Sequence, residues 1–429
     1  GTENYVSPRK QGAGAVNVEK ATSTDIYVVD SENNPKVRLN DVDSKFDINL
    51  KVVNIGKEAK TLRYKTVLGT DAVADGKFTL KTNTLETIQG KEITVPANSS
   101  VDVKITVDAS KYNKELSEKM PNGYFLEGFV FFEDAKDNTK EVSIAFSGFK
   151  GKWANVPLWE KPVYEFDLSK TLPMYMLQGN TYTGDVTSLV TVENNPYARG
   201  KQWTGDNGVQ YNFVGSKGEI PLGFNAGNVT FSKDNLAISP NGDNNKDFVA
   251  FKGVFYRNTQ YIKAKVYDEN GNLVYENGSG YAYKNSNNYS DGASRSNIID
   301  QTFWGGVKND GTALPEGKYK YVITANSEVP GAAVENEQKL EFEVKVDTTA
   351  PVIAKPKVEG NIYKPEITDN LSGVEETFLK YIDSNGDTKW ILPKDDGTFE
   401  IPAGVEHKNI SIHTFDHAGN ISSLNLDGS

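Results

Sequence analysis

Apolar and polar side chains alternate, residue by residue, along most of this chain. Phe46, Ile48, Leu50 and Val52 alternate with polar neighbours, and so do Val101, Val103, Ile105 and Val107. The same pattern returns at Val142, Ile144 and Phe146, at Ile262, Ala264 and Val266, and at Leu340, Phe342, Val344 and Val346. A period of two puts every apolar residue of a strand on one face, the pattern of half-buried antiparallel sheet. Turn dipeptides lie between the runs: Asn122-Gly123, Asn270-Gly271, Asp310-Gly311, Asn385-Gly386 and Asp396-Gly397. Helical periodicity is scarce; Lys111 to Met120 is expected to form one short helix ending before Pro121. Many short strands with regular turns predict an all-β chain built of β-sandwiches.

A chain of 429 residues has room for about three domains at a prior of ~150 residues each. Residues 1–22 are expected to be a connector, 23–150 a first sandwich and 151–347 a second, larger one. The segment from about Asn180 to Asn228, rich in Gly, Asn and Tyr, is expected to form long loops. In Val346-Asp347-Thr348-Thr349-Ala350-Pro351 a strand ends at Asp and a proline stops the ladder, as at a joint between tandem immunoglobulin-like modules. A small third sandwich should occupy 348–429. Trp304-Gly305-Gly306 to Tyr321 is expected to be a hairpin opened by a buried Trp and turned at Asn309-Asp310-Gly311. Gly1 starts mid-stream, which suggests an excised or processed piece.

Lys and Arg number 47 against 58 Asp and Glu, for a net charge of -11. No basic block stands out, which argues against nucleic acid and anionic membrane as partners. There is no cysteine, so disulfides, thiolate metal sites and cysteine nucleophiles are excluded. No stretch approaches the ~18 apolar residues of a membrane span.

Residues Ser239 to Asp247 read Ser-Pro-Asn-Gly-Asp-Asn-Asn-Lys-Asp between two strand-like runs. Asn241, Asp243, Asn245 and Asp247 place an oxygen-bearing side chain at every second position. A turn opened by Pro240 and Gly242 can aim them at one point, as calcium requires. The run resembles the first half of an EF-hand loop, but Lys252 stands where the bidentate Glu should be. The competing reading is an Asx-rich turn whose side chains bond to their own backbone. A bound calcium would lock the loop and perform no chemistry. Asp369-Asn370-Leu371-Ser372-Gly373-Val374 can also attract a cation and is read as a structural turn.

Four stretches carry a family resemblance. Ser7-Pro8-Arg9-Lys10-Gln11-Gly12-Ala13-Gly14 resembles the segment that closes the catalytic domain of Gram-positive cell-envelope subtilisin-like serine proteinases, including the lactocepins, the complement-anaphylatoxin peptidases and the chemokine-cleaving proteinases. Met120-Pro121-Asn122-Gly123-Tyr124-Phe125-Leu126-Glu127-Gly128-Phe129-Val130 resembles the first of the fibronectin type III-like modules that follow it. Ala237 to Phe248 resembles the second, and Asp416-His417-Ala418-Gly419-Asn420 the close of the third. The order is right and covers essentially the whole chain.

The resemblance implies tandem immunoglobulin/fibronectin type III-like sandwiches after a catalytic domain, in an enzyme secreted and anchored to the Gram-positive cell wall. It implies two partners, the catalytic domain of the same proteinase and a large protein substrate such as a complement fragment, a chemokine or casein. The modules would act as spacer and as exosite.

The family's activity needs a Ser-His-Asp triad, with the serine in a Gly-Thr-Ser-Met-Ala-like run. Here Gly1-Thr2 is followed by Glu3-Asn4-Tyr5. The only histidines are His407, His413 and His417, near the C-terminus; His413 and His417 could share a metal only on a helix, and the segment reads as a strand. This chain is therefore expected to be non-catalytic by itself. Tyr197, Trp203, Tyr211 and Phe213 lie in the loop-rich part of the second unit and are the candidate contact surface for a substrate or partner. The alternative function is a surface adhesin or stalk binding a host glycoprotein or glycan.

Overall fold

The computed structural model describes residues 5–12, 17–137, 141–178, 181–193, 202–204, 210–217, 230–284, 296–329, 332 and 334–427. It divides into two compact units, Gly1–Val156 and Pro157–Ser429. Both are built from strands.

In the first unit the strands are β1 (Ile26–Asp30), β2 (Lys36–Val42), β3 (Lys45–Asn54), β4 (Lys60–Ala74), β5 (Lys77–Gln89), β6 (Ile93–Val95), β7 (Ser99–Asp108), β8 (Tyr124–Asp134) and β9 (Glu141–Lys150). One sheet has the order β1-β3-β7; the other has the order β2-β9-β8-β4-β5, with β6 also pairing β4. All pairings are antiparallel except β2 with β9. The predicted alternation sets the core: Phe46, Ile48, Leu50 and Val52 of β3 and Val103, Ile105 and Val107 of β7 are buried against Leu126, Val130 and Phe132 of β8. The expected helix forms as a 3-10 turn over Ser110–Tyr112 followed by an α-helix over Asn113–Lys119.

Strand β8 departs from simple alternation because it is buried on both faces. Phe129 and Phe131, on the side away from the main core, cluster with Val67 and Ala145, and Tyr5 packs on them. Arg9 fixes this N-terminal segment. Its Nε donates to Glu127 Oε2 at 2.7 Å and its Nη2 to Glu127 Oε1 at 3.1 Å and Asp71 Oδ2 at 2.7 Å. Its guanidinium lies 3.7 Å over the Phe125 ring. Burial opposes the Arg9 charge, but Glu127 and Asp71 outweigh it and raise its pKa. The segment expected to be a connector is thus docked on the first sandwich.

The second unit holds two sandwiches. The larger has a five-stranded sheet ordered Gln202–Thr204, Gln210–Phe213, Ser188–Thr191, Ala250–Gly253, Asn297–Ile298. Its other five-stranded sheet is ordered Ala237–Ile238, Gln338–Val346, Gly317–Ser327, Thr259–Tyr267, Leu273–Glu276. Ala237–Ile238 runs parallel to Gln338–Val346, so Ser239 and Asp347 leave the same sheet edge side by side. The expected Trp is buried in the core at 1 % exposure, and its Nε1 donates to Val307 O at 3.0 Å beside a tight turn closed by Lys308 and Thr312. Where long loops were expected, the described residues form strands, among them Thr181–Asp185 and Ser188–Thr191.

The smaller sandwich has a four-stranded antiparallel sheet ordered Thr388–Ile391, Val374–Ile382, Ile410–Asp416, Ile421–Asn425. Short strands over Val358–Glu359, Ile362–Tyr363 and Phe399–Glu400 form a second sheet. Tyr363, Leu379, Phe399, Ile410 and Ile412 fill the core. Among the described residues no helix is long and apolar enough to cross a membrane.

Candidate functional site

A densely bonded polar cluster lies where the two sandwiches of the second unit meet, and the Ser239–Asp247 loop contributes to it. Within the loop, Asn241 Oδ1 accepts from Asp243 N at 3.0 Å and Asp243 Oδ1 from Asn245 N at 2.8 Å. Asp247 Oδ1 accepts from Gly242 N at 2.7 Å and its Oδ2 from Asn244 N at 2.8 Å. The side chains thus bond to their own backbone, the chemistry that makes Asx residues frequent in turns. Gly242, Asn244 and Lys246 have φ of 83°, 63° and 56°, and these local bonds support that left-handed path.

The winding carries Asn245 and Lys246 inward. Asn245 is 6 % exposed; its Nδ2 donates to Gly419 O at 2.7 Å, and its Oδ1 is enclosed without a partner. Lys246 Nζ donates to Glu375 Oε2 at 2.9 Å and to His417 O at 3.2 Å, and stands 3.6 Å from Glu193 Oε1. Burial works against this ammonium, but Glu375 and Glu193 outweigh it and raise its pKa.

Asn420 completes the joint. Its Oδ1 accepts from Ser239 Oγ at 2.6 Å, and its Nδ2 donates to Asp347 O and to Asp416 Oδ2, each at 2.8 Å. Gly419 has φ 94°, and a Cβ there would lie 2.8 Å from Asn245 Nδ2. Asp416 is wholly buried; burial first, then the charges of Asp347 and Asp369, push its carboxyl up to about 7. Asp347, Asp369 and Asp416 each offer an oxygen within 4.8 Å of the others.

The remaining residues singled out in the sequence scatter. Tyr197 lies outside the described residues. Trp203 and Tyr211 are paired across Gln202–Thr204 and Gln210–Phe213, and their side chains fall outside the description. Phe213 is 3 % exposed, in a core with Val163, Met176 and Val190, so the contact role expected for it does not fit: its ring faces inward. Lys252, at the EF-hand-like position, is wholly buried; its Nζ donates to Gly184 O and lies 5.3 Å from the Phe213 ring centre. Burial pulls its pKa down to about 7, with Asp185 and Glu160 opposing. His413 stacks on Phe378 with ring centres 5.4 Å apart, while His417 lies past the strand end and bonds through its backbone to Gly373.

The model of an Fn3-like domain family matches residues 37–146. C5a peptidase of Streptococcus pyogenes is 34 % identical over 451 residues, covering 94 % of this chain and 37 % of that protein. C5a peptidase of Streptococcus pyogenes serotype M6 is 33 % identical over 471 residues, covering 97 % of this chain and 39 % of that protein. Along nearly its whole length the chain is similar to C5a peptidase, and it fits the cell-envelope proteinase family. It spans well under half the length of the relatives it matches. Within this family the resemblance of Ala237–Phe248 and of Asp416–Asn420 gains a physical reading: both stretches supply the joint between the second and third modules.

Proposed function

We propose that this chain is the accessory, non-catalytic region of a subtilisin-like serine endopeptidase displayed on a Gram-positive cell wall. The observation that carries this reading is the match to C5a peptidase along 94 % of the chain. The modules act as a spacer that sets the position of the catalytic domain, and as an exosite for a large protein such as a complement fragment, a chemokine or casein. Contacts remote from the scissile bond raise the cleavage of one folded protein and leave short peptides unaffected, because only the large substrate reaches them. The bonded joint supports the spacer role, since a reach is set only by parts that do not fold back on each other.

The test is a pair of parent enzymes, one intact and one lacking residues 157–429. The exosite reading expects kcat/KM on the protein substrate to fall at least about tenfold, a loss of ~1.4 kcal/mol in transition-state binding, with short-peptide cleavage unchanged. Equal losses on both substrates would reduce these modules to a structural role.

A further inference from the structure

Asp347 directly follows the last strand of the second module, Gln338–Val346, Asp369 opens the turn after Ile367–Thr368, and Asp416 ends the strand Ile410–Asp416. The joint gathers the three so that their oxygens lie within 4.8 Å of one another, and Asp347 and Asp416 are both 0 % exposed. Asp347 accepts from Thr349 N and Ser372 N, Asp416 from Asn420 N and Nδ2, and Asp369 Oδ2 from Leu371 N and Gly373 N. Only Asp369 Oδ1 accepts nothing, and it is sealed from solvent. Ser372, 2 % exposed, sits against the trio through its N–H to Asp347 Oδ2, and its hydroxyl is also enclosed without a partner. Among the described residues none of the three carboxylates forms an ion pair, and Lys246, whose charge Asp416 feels, is committed to Glu375 and Glu193.

Like charges this close inside a protein repel strongly, and a sealed carboxylate oxygen with no donor has lost its hydration for nothing. A cation resolves both. We propose that Asp347, Asp369 and Asp416, with the Ser372 hydroxyl, bind a calcium ion that ties the third module to the end of the second. The donors are all hard oxygens, which suits calcium and disfavours zinc or copper. Calcium accepts an irregular set of six to eight oxygens completed by water, whereas magnesium demands near-ideal octahedral geometry. This places the ion beside the Ser239–Asp247 loop, whose carboxylate oxygens already accept hydrogen bonds from within the loop.

The experiment is calorimetric titration of this chain with calcium chloride after chelator treatment, with thermal unfolding in parallel, on the native sequence, Asp369→Asn and Asp243→Asn. The expected result is one calcium per chain, a raised unfolding midpoint, and an affinity at least about tenfold lower in Asp369→Asn, since ligand charge sets calcium affinity. In chelator, Asp369→Asn should unfold no earlier than the native chain, because one of three repelling charges is gone. Absence of binding by the native chain would overturn the proposal. So would binding lost in Asp243→Asn and kept in Asp369→Asn, which would put the ion in the loop. Equal binding by magnesium chloride would overturn the choice of calcium.

Discussion

Asn245 and Gly419 stand 174 positions apart in the chain and are joined by one hydrogen bond, Nδ2 to carbonyl, of 2.7 Å. The bond exists because the Asx turn carries Asn245 inward from the loop and because residue 419 has no side chain in the way. Substituting Gly419→Ala forces a Cβ to 2.8 Å from Asn245 Nδ2 at φ 94°. We expect a loss of about 2–4 kcal/mol from strain and the broken contact together. Gly397→Ala, at φ 77° with nothing near its Cβ, should cost only about 1 kcal/mol. Chemical denaturation of the two variants checks the difference.

Replacing Lys246 by Met leaves Glu193 and Glu375, each with an 11 % exposed side chain, facing one another without their shared cation. Removing one partner of a buried ionic cluster typically costs about 3–5 kcal/mol. The expected readout is faster backbone amide exchange in Gly373 to Asn420, where the third module meets the loop.

Arg9→Ala should release the N-terminal segment. Glu127, with a 1 % exposed side chain, would be left buried and unpaired, again about 3 kcal/mol or more. Arg9→Lys should rescue only part of this, because an ammonium cannot span Glu127 and Asp71 while lying flat on Phe125. Limited proteolysis of residues 5–12 in the three proteins tests the order native, Lys, Ala.

Lys252 gives a pH dependence with a definite sign. Its pKa falls from 10.5 in the unfolded chain to about 7 in the fold. Between these values the unfolded chain holds a proton that the folded one lacks, so stability rises with pH across about 7 to 10. The rise attributable to this lysine is at most about 1.4 kcal/mol per pH unit. Subtracting the unfolding profile of Lys252→Met from that of the native chain should expose it; a flat or falling difference would show that the lysine stays protonated in its pocket.

The strands were legible because their period is local. Phe46 to Val52 and Leu340 to Val346 need only their own neighbours to declare a face, and the turn dipeptides need only a permissive φ. The role of Ser239–Asp247 was only half legible. Its sequence declares both an oxygen-rich turn and a cation loop, and the Asx bonds are local, but its inward partners Gly419, His417 and Glu375 are more than a hundred residues away. The Asp347, Asp369, Asp416 group has no spacing signature at all, because the fold and not the chain gathers it. Phe213 misleads for a similar reason: an aromatic in a Gly- and Asn-rich stretch looks like a surface residue until a sheet closes over it. Segment 5–12 looked like a linker because nothing in it shows that Glu127 and Phe125 await Arg9.

The three side-chain bonds of Asn420 have a thermodynamic consequence for recognition. One side chain touches Ser239, Asp347 and Asp416, so the second and third modules should tumble with a single rotational correlation time. A partner that lies across both would then find their relative orientation already chosen, and would not forfeit affinity to freeze a hinge.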